Sequence, residues 1–303
     1  MGNVAFVSIL WETFGTSTTP ELFDLIKGFC YNNGYITFQT ADTFIKGNAV
    51  IAAKDANGNI LWSWHIWLTD QPQEQVYYNN AGTMMDRNLG ATSATPGDVG
   101  ALGLLYQWGR KDPFLGSSLI SRNTTAKSTI SWPKAVESTS STGTIDYATA
   151  NPTTFIGCNE SNLDWYYTGS ESTDNTRWTT SETSKSIYDP CPAGWRIPDG
   201  GSDGIWNKAL RSPLYFYDDS NEGLNFYRVF GSSSTIWYPA SGRLIDDDGN
   251  LNFVASSGNY WSASAADRYY ANCLYFHNTN YAILDSSTSR AYGLSVRCVQ
   301  ESK

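Results

Sequence analysis

Two short apolar stretches near the carboxyl end constrain this chain most: Gly258-Asn259-Tyr260-Trp261-Ser262 and Gly293-Leu294-Ser295-Val296-Arg297-Cys298-Val299. Tyr260 and Trp261 open a strand, Leu294, Val296 and Val299 close one, and Gly293 marks the return from surface to core. The thirty residues between them, Ala263 to Tyr292, are a dense mix of Tyr, Asn, Asp, Ser, Thr, Arg and His. Within that stretch Leu274 and Phe276 alternate with Cys273, Tyr275 and His277. This is the period of a strand that buries one face and presents the other.

The presented residues suit a contact surface. Tyrosine brings large amphipathic area at low rotamer cost, and Ser, Asn and Asp add adaptable hydrogen bonding, as in antibody loops. The expected contact residues are Asp267, Arg268, Tyr269, Tyr270, Asn272, Tyr275, His277, Asn278, Asn280, Tyr281, Asp285, Ser286, Ser287 and Tyr292. A plain polar loop over a β-domain, which would share the Ser, Asn and Asp content, is the competing reading.

Tyr260-Trp261-Ser262, the polar interior and Arg290-Ala291-Tyr292-Gly293-Leu294-Ser295-Val296-Arg297-Cys298-Val299 resemble the C-terminal end of C-type-lectin-like domains in bacterial surface proteins. They look most like the variable proteins of diversity-generating retroelements and are similar to fimbrillin-associated and major-paralogous-domain surface proteins. Met85-Asp86-Arg87-Asn88-Leu89-Gly90, Leu104 to Phe114 and Tyr188-Asp189-Pro190-Cys191-Pro192-Ala193-Gly194-Trp195-Arg196-Ile197-Pro198 resemble the same group. The resemblance implies an α+β, C-type-lectin-like fold over 80–303 with a long insertion at about 115–187, a disulfide between Cys191 and Cys298, and a variable binding surface. In that group template adenines are mutagenised, typically in Asn codons. An AAC codon changed only at its adenines never encodes Lys, Glu, Gln, Met or Trp, and none of these occurs between Ala263 and Tyr292.

Residues 1–79 read as a small β-rich, sandwich-like segment, the end of a larger module. Asn57-Gly58 between two apolar runs signals a hairpin. Trp62 and Trp64 share a strand face, and burial is expected of them rather than a sugar platform. Short helices are expected at Glu21–Phe29, at Leu102–Trp108 from its i, i+3, i+4 spacing, and from Asp203 or Gly204 onward with Ile205, Trp206 and Leu210 on the apolar side. The Ser-, Thr- and Asn-rich insertion is expected to be pinned by Trp132, Trp165 and Trp178. Arg87, Arg110 and Asp112 read as partners in a buried network.

Several function classes fall away. With a net charge of −9 and no basic stripe, nucleic acid is not an expected partner. No apolar run approaches a membrane span, so direct insertion is not expected, and Met1 to Trp11 lacks the basic start of a signal peptide. An upstream segment removed with its export signal, or release on a virion, is the expectation. Five cysteines without a Cys-x-x-Cys pair argue against zinc. Asp246-Asp247-Asp248-Gly249-Asn250 lacks the closing glutamate of a calcium loop and reads as a hairpin turn. Only His65 and His277 exist, so no triad has a platform, and no enzyme, metal or cofactor is expected. The reading is an extracellular, cell-surface or virion protein that binds a protein or glycan on another cell or a phage target. A structural pilus-tip or adhesin subunit is the alternative.

Overall fold

A computed structural model describes residues 3–159, 161–167, 169, 174–181, 184–209, 215–227 and 234–301. Its first unit is an antiparallel sheet in the order β1 (Phe6–Thr13), β4 (Gly47–Lys54), β5 (Ile60–Leu68), beside a hairpin of β2 (Ile26–Asn32) and β3 (Tyr35–Thr40). The central strand β4 is small and apolar without alternation, and Ala49 to Ala53 are buried on both faces. The β4–β5 turn closes on the Asp55 carboxylate, which accepts from the amides of Asn57 (2.9 Å) and Asn59 (2.8 Å). No helix forms over Glu21–Phe29. The buried Glu12 carboxylate accepts from the amides of Phe23 (2.7 Å), Leu25 (3.1 Å) and Ile26 (2.8 Å), Phe23 turns left-handed (φ 78°), and Ile26 starts β2.

Three short strands follow: β6 (Glu74–Val76), β7 (Thr83–Met85) and β8 (Leu105–Gln107). The helix expected over Leu102–Trp108 is also absent. Gly103 sits at φ 74°, where a Cβ would come within 2.8 Å of the Leu89 carbonyl, and the next residues pair as β8 instead. The insertion carries β9 (Val136–Glu137), α1 (Ile145–Ala150), β10 (Ile156–Gly157), β11 (Thr179–Ser181) and β12 (Ser184–Lys185). Trp165 and Trp178 are fully enclosed, and half-buried Trp132 lies 5.5 Å from Trp11. Then come β13 (Trp195–Arg196) and α2 (Ile205–Ala209), which buries Ile205, Trp206 and Ala209; Leu210 lies outside the described residues.

The remaining strands are β14 (Tyr215–Asp218), β15 (Gly223–Tyr227), β16 (Thr235–Pro239), β17 (Ser241–Leu244), β18 (Leu251–Val254), β19 (Ser257–Ala265), β20 (Tyr270–His277), β21 (Tyr281–Ser289), β22 (Gly293–Ser295) and β23 (Val299–Gln300). The main sheet runs β18-β17-β22-β19-β20-β21, with β8 on β22; β13-β23-β7-β6 and β14-β15-β16 form two smaller sheets.

This corrects the expected fold class. Strands take up 41% of the chain and helix 6%, and the two α-helices among the described residues have six and five residues. The molecule is β-rich, not an α+β C-type-lectin-like fold. Helical spacing at 21–29 and 102–108 was overridden by capture of backbone amides and by strand pairing.

The tryptophans on β5 are half-buried rather than enclosed, and Trp62 lies over the Lys111 ammonium at 4.6 Å. Arg87 is buried against Asp86 and Asp70, and Asp112 against Lys111, while Arg110 donates to Gln107 and the Thr154 carbonyl. Cys191 and Cys298 form a disulfide, 107 residues apart, that ties β13's approach to the end of the main sheet. Reducing it is expected to cost about 2–5 kcal/mol; thermal unfolding with and without reductant checks this.

His65 is half-buried, but both ring nitrogens point inward. Nε2 donates to Asn48 Oδ1 (2.9 Å) and Nδ1 accepts from the Tyr106 hydroxyl (3.2 Å). Burial pulls its pKa from the ordinary 6.5 down to about 3. The unfolded chain therefore takes a proton below pH 6.5 that the folded chain refuses, so stability falls as pH drops from 6.5 towards 3. The slope is expected below about 1.4 kcal/mol per pH unit, since one ring edge borders a groove. Urea midpoints against pH should show a shallower acid limb in His65→Gln.

Candidate ligand-binding surface

The bracketing strands are held from both sides. Tyr260 and Trp261, adjacent on β19, bury into two different clusters, and their polar tips are satisfied: Tyr260 Oη donates to the Pro239 carbonyl (2.6 Å) and Trp261 Nε1 to the Tyr106 carbonyl (2.8 Å). The antiparallel pairing of β19, β20 and β21 carries that register outward. On β20, Leu274 and Phe276 are buried while Tyr275 and His277 are half-exposed. Cys273, expected beside those two, is buried instead. Cys273 and Leu274 bury on opposite faces of β20, Cys273 with Trp261 in one cluster and Leu274 with Tyr260 in the other, so this part of the strand is covered on both sides, and burial pushes the Cys273 thiol up to about 12.

None of the fourteen expected contact residues is buried, but they do not make one continuous patch. The first group lies at the β20–β21 turn. Tyr275 and Tyr281 meet edge to face at 6.4 Å, His277 pairs across from Tyr281, and Asn278, Asn280 and Tyr281 are exposed. Asn280 adopts φ 60° and its Oδ1 accepts from the Tyr217 amide (3.2 Å).

The second group faces the loop before α2. Asn272 Nδ2 donates to Asp285 Oδ1 (2.8 Å), which also accepts from the Gly201 amide (2.9 Å), with exposed Ser287 opposite Asn272.

The third is the β19–β20 turn, at the other end of β20 and roughly 25 Å from the first by strand rise. Asp267 Oδ1 accepts from the amides of Tyr269 (2.7 Å) and Tyr270 (2.8 Å), and the Arg268 guanidinium lies over the Tyr269 ring at 4.6 Å.

The fourth is set back towards β17. Ser286 sits beside the Cys273 thiol, and Tyr292 lies near Asp246, its hydroxyl pushed up by burial and then by that carboxylate.

Sequence reasoning missed the residues that hold these groups. Arg290 is fully buried beneath the β19–β20 turn: Nε donates to the Tyr270 carbonyl (3.3 Å), Nη2 to Asn175 Oδ1 (2.6 Å) and to the Asp267 carbonyl, and Nη1 to Asp164 (3.4 Å). Arg243 on β17 and Ile283 on β21, opposite Tyr275, also escaped notice. For Ile283 the cue was available, since its hairpin partner could be counted from the turn. For Arg243 and Arg290 no local cue existed.

Two depressions among the described residues lie away from this surface: about 690 Å³ between the β2–β3 hairpin and β4–β5, and about 570 Å³ between the insertion and the Asp247–Asn250 turn. A small-molecule site is normally enclosed, so an exposed tyrosine-bearing strand pair suits a broad partner better. Among the described residues no group of three His, Cys, Asp or Glu could hold a metal.

No protein-family model, curated protein or solved structure matches this chain.

Removal of Arg290 leaves the turn without its central donor. Arg290→Met is expected to cost about 3 kcal/mol and to raise amide exchange at Tyr269 and Tyr270, measurable by hydrogen exchange.

Proposed function

We propose that this is a ligand-recognition protein, displayed at a cell surface or on a virion, whose contact residues lie on β20, β21 and their turns. Its partner is a protein or glycan on another cell or phage target, and the surface does no chemistry. One observation carries the reading: β20 buries Leu274 and Phe276 while Tyr275 and His277 look outward, beside an exposed Tyr281. Side chains on such a face can be exchanged without disturbing the packing beneath.

Diversification of these positions is part of the proposal. It is supported by the likeness of the carboxyl end to retroelement variable proteins and by the missing Lys, Glu, Gln, Met and Trp between Ala263 and Tyr292. A near-copy template beside a reverse-transcriptase gene in the neighbouring DNA is the expected finding; its absence would remove diversification and leave recognition.

The recognition claim is tested by combined alanine substitution of Tyr269, Tyr270, Tyr275 and Tyr281. The variant should stay folded, losing about 2 kcal/mol in all at ~0.5 per site, while peptides selected on the wild-type chain no longer bind. A loss above about 4 kcal/mol in urea unfolding would assign these rings to the core.

A further inference from the structure

We infer that Arg243 anchors an anion-binding subsite within this surface, and that the group it takes is the carboxylate of an aspartate or glutamate on a protein partner. The inference rests on the surface reading above and adds a chemical identity to the ligand.

Arg243 is half-exposed on β17, with its guanidinium between two rings: Phe253 at 4.8 Å and Tyr292 at 4.4 Å. Phe253 is 42% exposed, so the clamp stands at the surface. Tyr292 is one of the expected contact residues, and Gly242 beside Arg243 pairs with Gly258 of β19, which in turn pairs with Phe276 of β20, so one strand separates the clamp from the β20–β21 pair.

What separates Arg243 from the other buried or half-buried arginines among the described residues is its partners. Arg87, Arg177, Arg196 and Arg290 each meet a carboxylate, and Arg110 and Arg297 donate to carbonyls. Its Nε is buried without a partner, as are those of Arg110 and Arg177, but their Nη groups are engaged whereas Arg243, among the described residues, makes no hydrogen bond or ion pair at all. Asp246, which faces the same Tyr292, is engaged with the Tyr292 hydroxyl and the Cys158 thiol.

Two stacked rings satisfy the faces of a guanidinium but not its edge, where all five N–H donors lie. A buried donor left unpaired is costly, and an acceptor reaching the fork relieves that cost. The rings hold the fork in place beforehand, so little rotamer freedom is lost on binding. A planar carboxylate matches the fork with two parallel hydrogen bonds. Polyanions are disfavoured by the net charge of −9, whereas a single acidic side chain on a protein is not. The surrounding Tyr, Ser and Asn are the residues of protein-binding surfaces, which favours a protein over a glycan as the source.

The test follows the Arg243 Nε–Hε resonance of the full ¹⁵N-labelled chain, identified by its loss in Arg243→Lys. At constant ionic strength, N-acetyl-glutamate methylamide should move it saturably and the glutamine analogue should not. No movement with the glutamate compound, or equal movement with both, overturns the inference. Half-saturation about tenfold lower with methyl glucuronide would overturn the protein assignment in favour of an acidic glycan. Peptide display on the full chain separates this from the surface reading. Acidic peptides that lose at least about tenfold in affinity against folded Arg243→Lys and Arg243→Gln support the anchor. Peptides that depend on Tyr275 and Tyr281 but not on Arg243 sink the anchor and leave the surface standing. A glutamate response at Arg243, with no selected peptide depending on those tyrosines, does the reverse.

Discussion

Neighbouring side chains of β19, Tyr260 and Trp261, bury into different clusters, and the carboxyl end depends on that double enclosure. Each ring is worth roughly 1.5–3 kcal/mol of burial, and each polar tip reaches a carbonyl, so neither can leave without stranding a donor or acceptor. Tyr260 is further wedged edge-on against Tyr238 at 4.8 Å. Gly258 lets the Phe276 ring lie directly on the backbone, where a Cβ would come within 2.1 Å. A strand fixed this way cannot slip register, because a one-residue slip would exchange its two faces.

Register then travels by pairing from β19 to β20 and β21, and decides which side chains look outward. One cluster covers Ala271 and Cys273 on one face of β20 and a second covers Leu274 and Phe276 on the other, so Tyr275 and His277 are presented only beyond the first cluster's reach. Buried arginines complete the framework. Arg297 lies 3.9 Å from the Tyr238 ring centroid and donates to the Trp237 carbonyl, while Arg177 and Arg290 share Asp164. Such groups are costly to desolvate, and most of their donors are met here, so they favour one arrangement of the turns they serve. Arg243 differs on both counts, being half-exposed and without a hydrogen-bonding partner among the described residues.

Local features were legible in the chain. The Asn57-Gly58 hairpin, the Asp246–Asn250 turn between β17 and β18, the start of α2 at Ile205 and the Leu274/Phe276 alternation all depend on residues a few positions apart. The helices expected at 21–29 and 102–108 were not decided locally. Glu12 took the amides of one, and pairing with Gly293–Ser295 claimed the other. The α+β, C-type-lectin-like class went with them, since it rested on motif likeness and called for helices that these segments do not form.

By itself, the sequence determined alternation, turns and the aromatic content that must be buried, because these follow from side-chain period and backbone preference within a short window. Only the tertiary structure decided that the contact residues divide among two turns and two faces, that Cys273 points inward, and that Arg243 lies between Phe253 and Tyr292. The reason is that pairing register, bulges and the clamp around a guanidinium are set by residues far apart in the chain, whose meeting depends on the whole core closing.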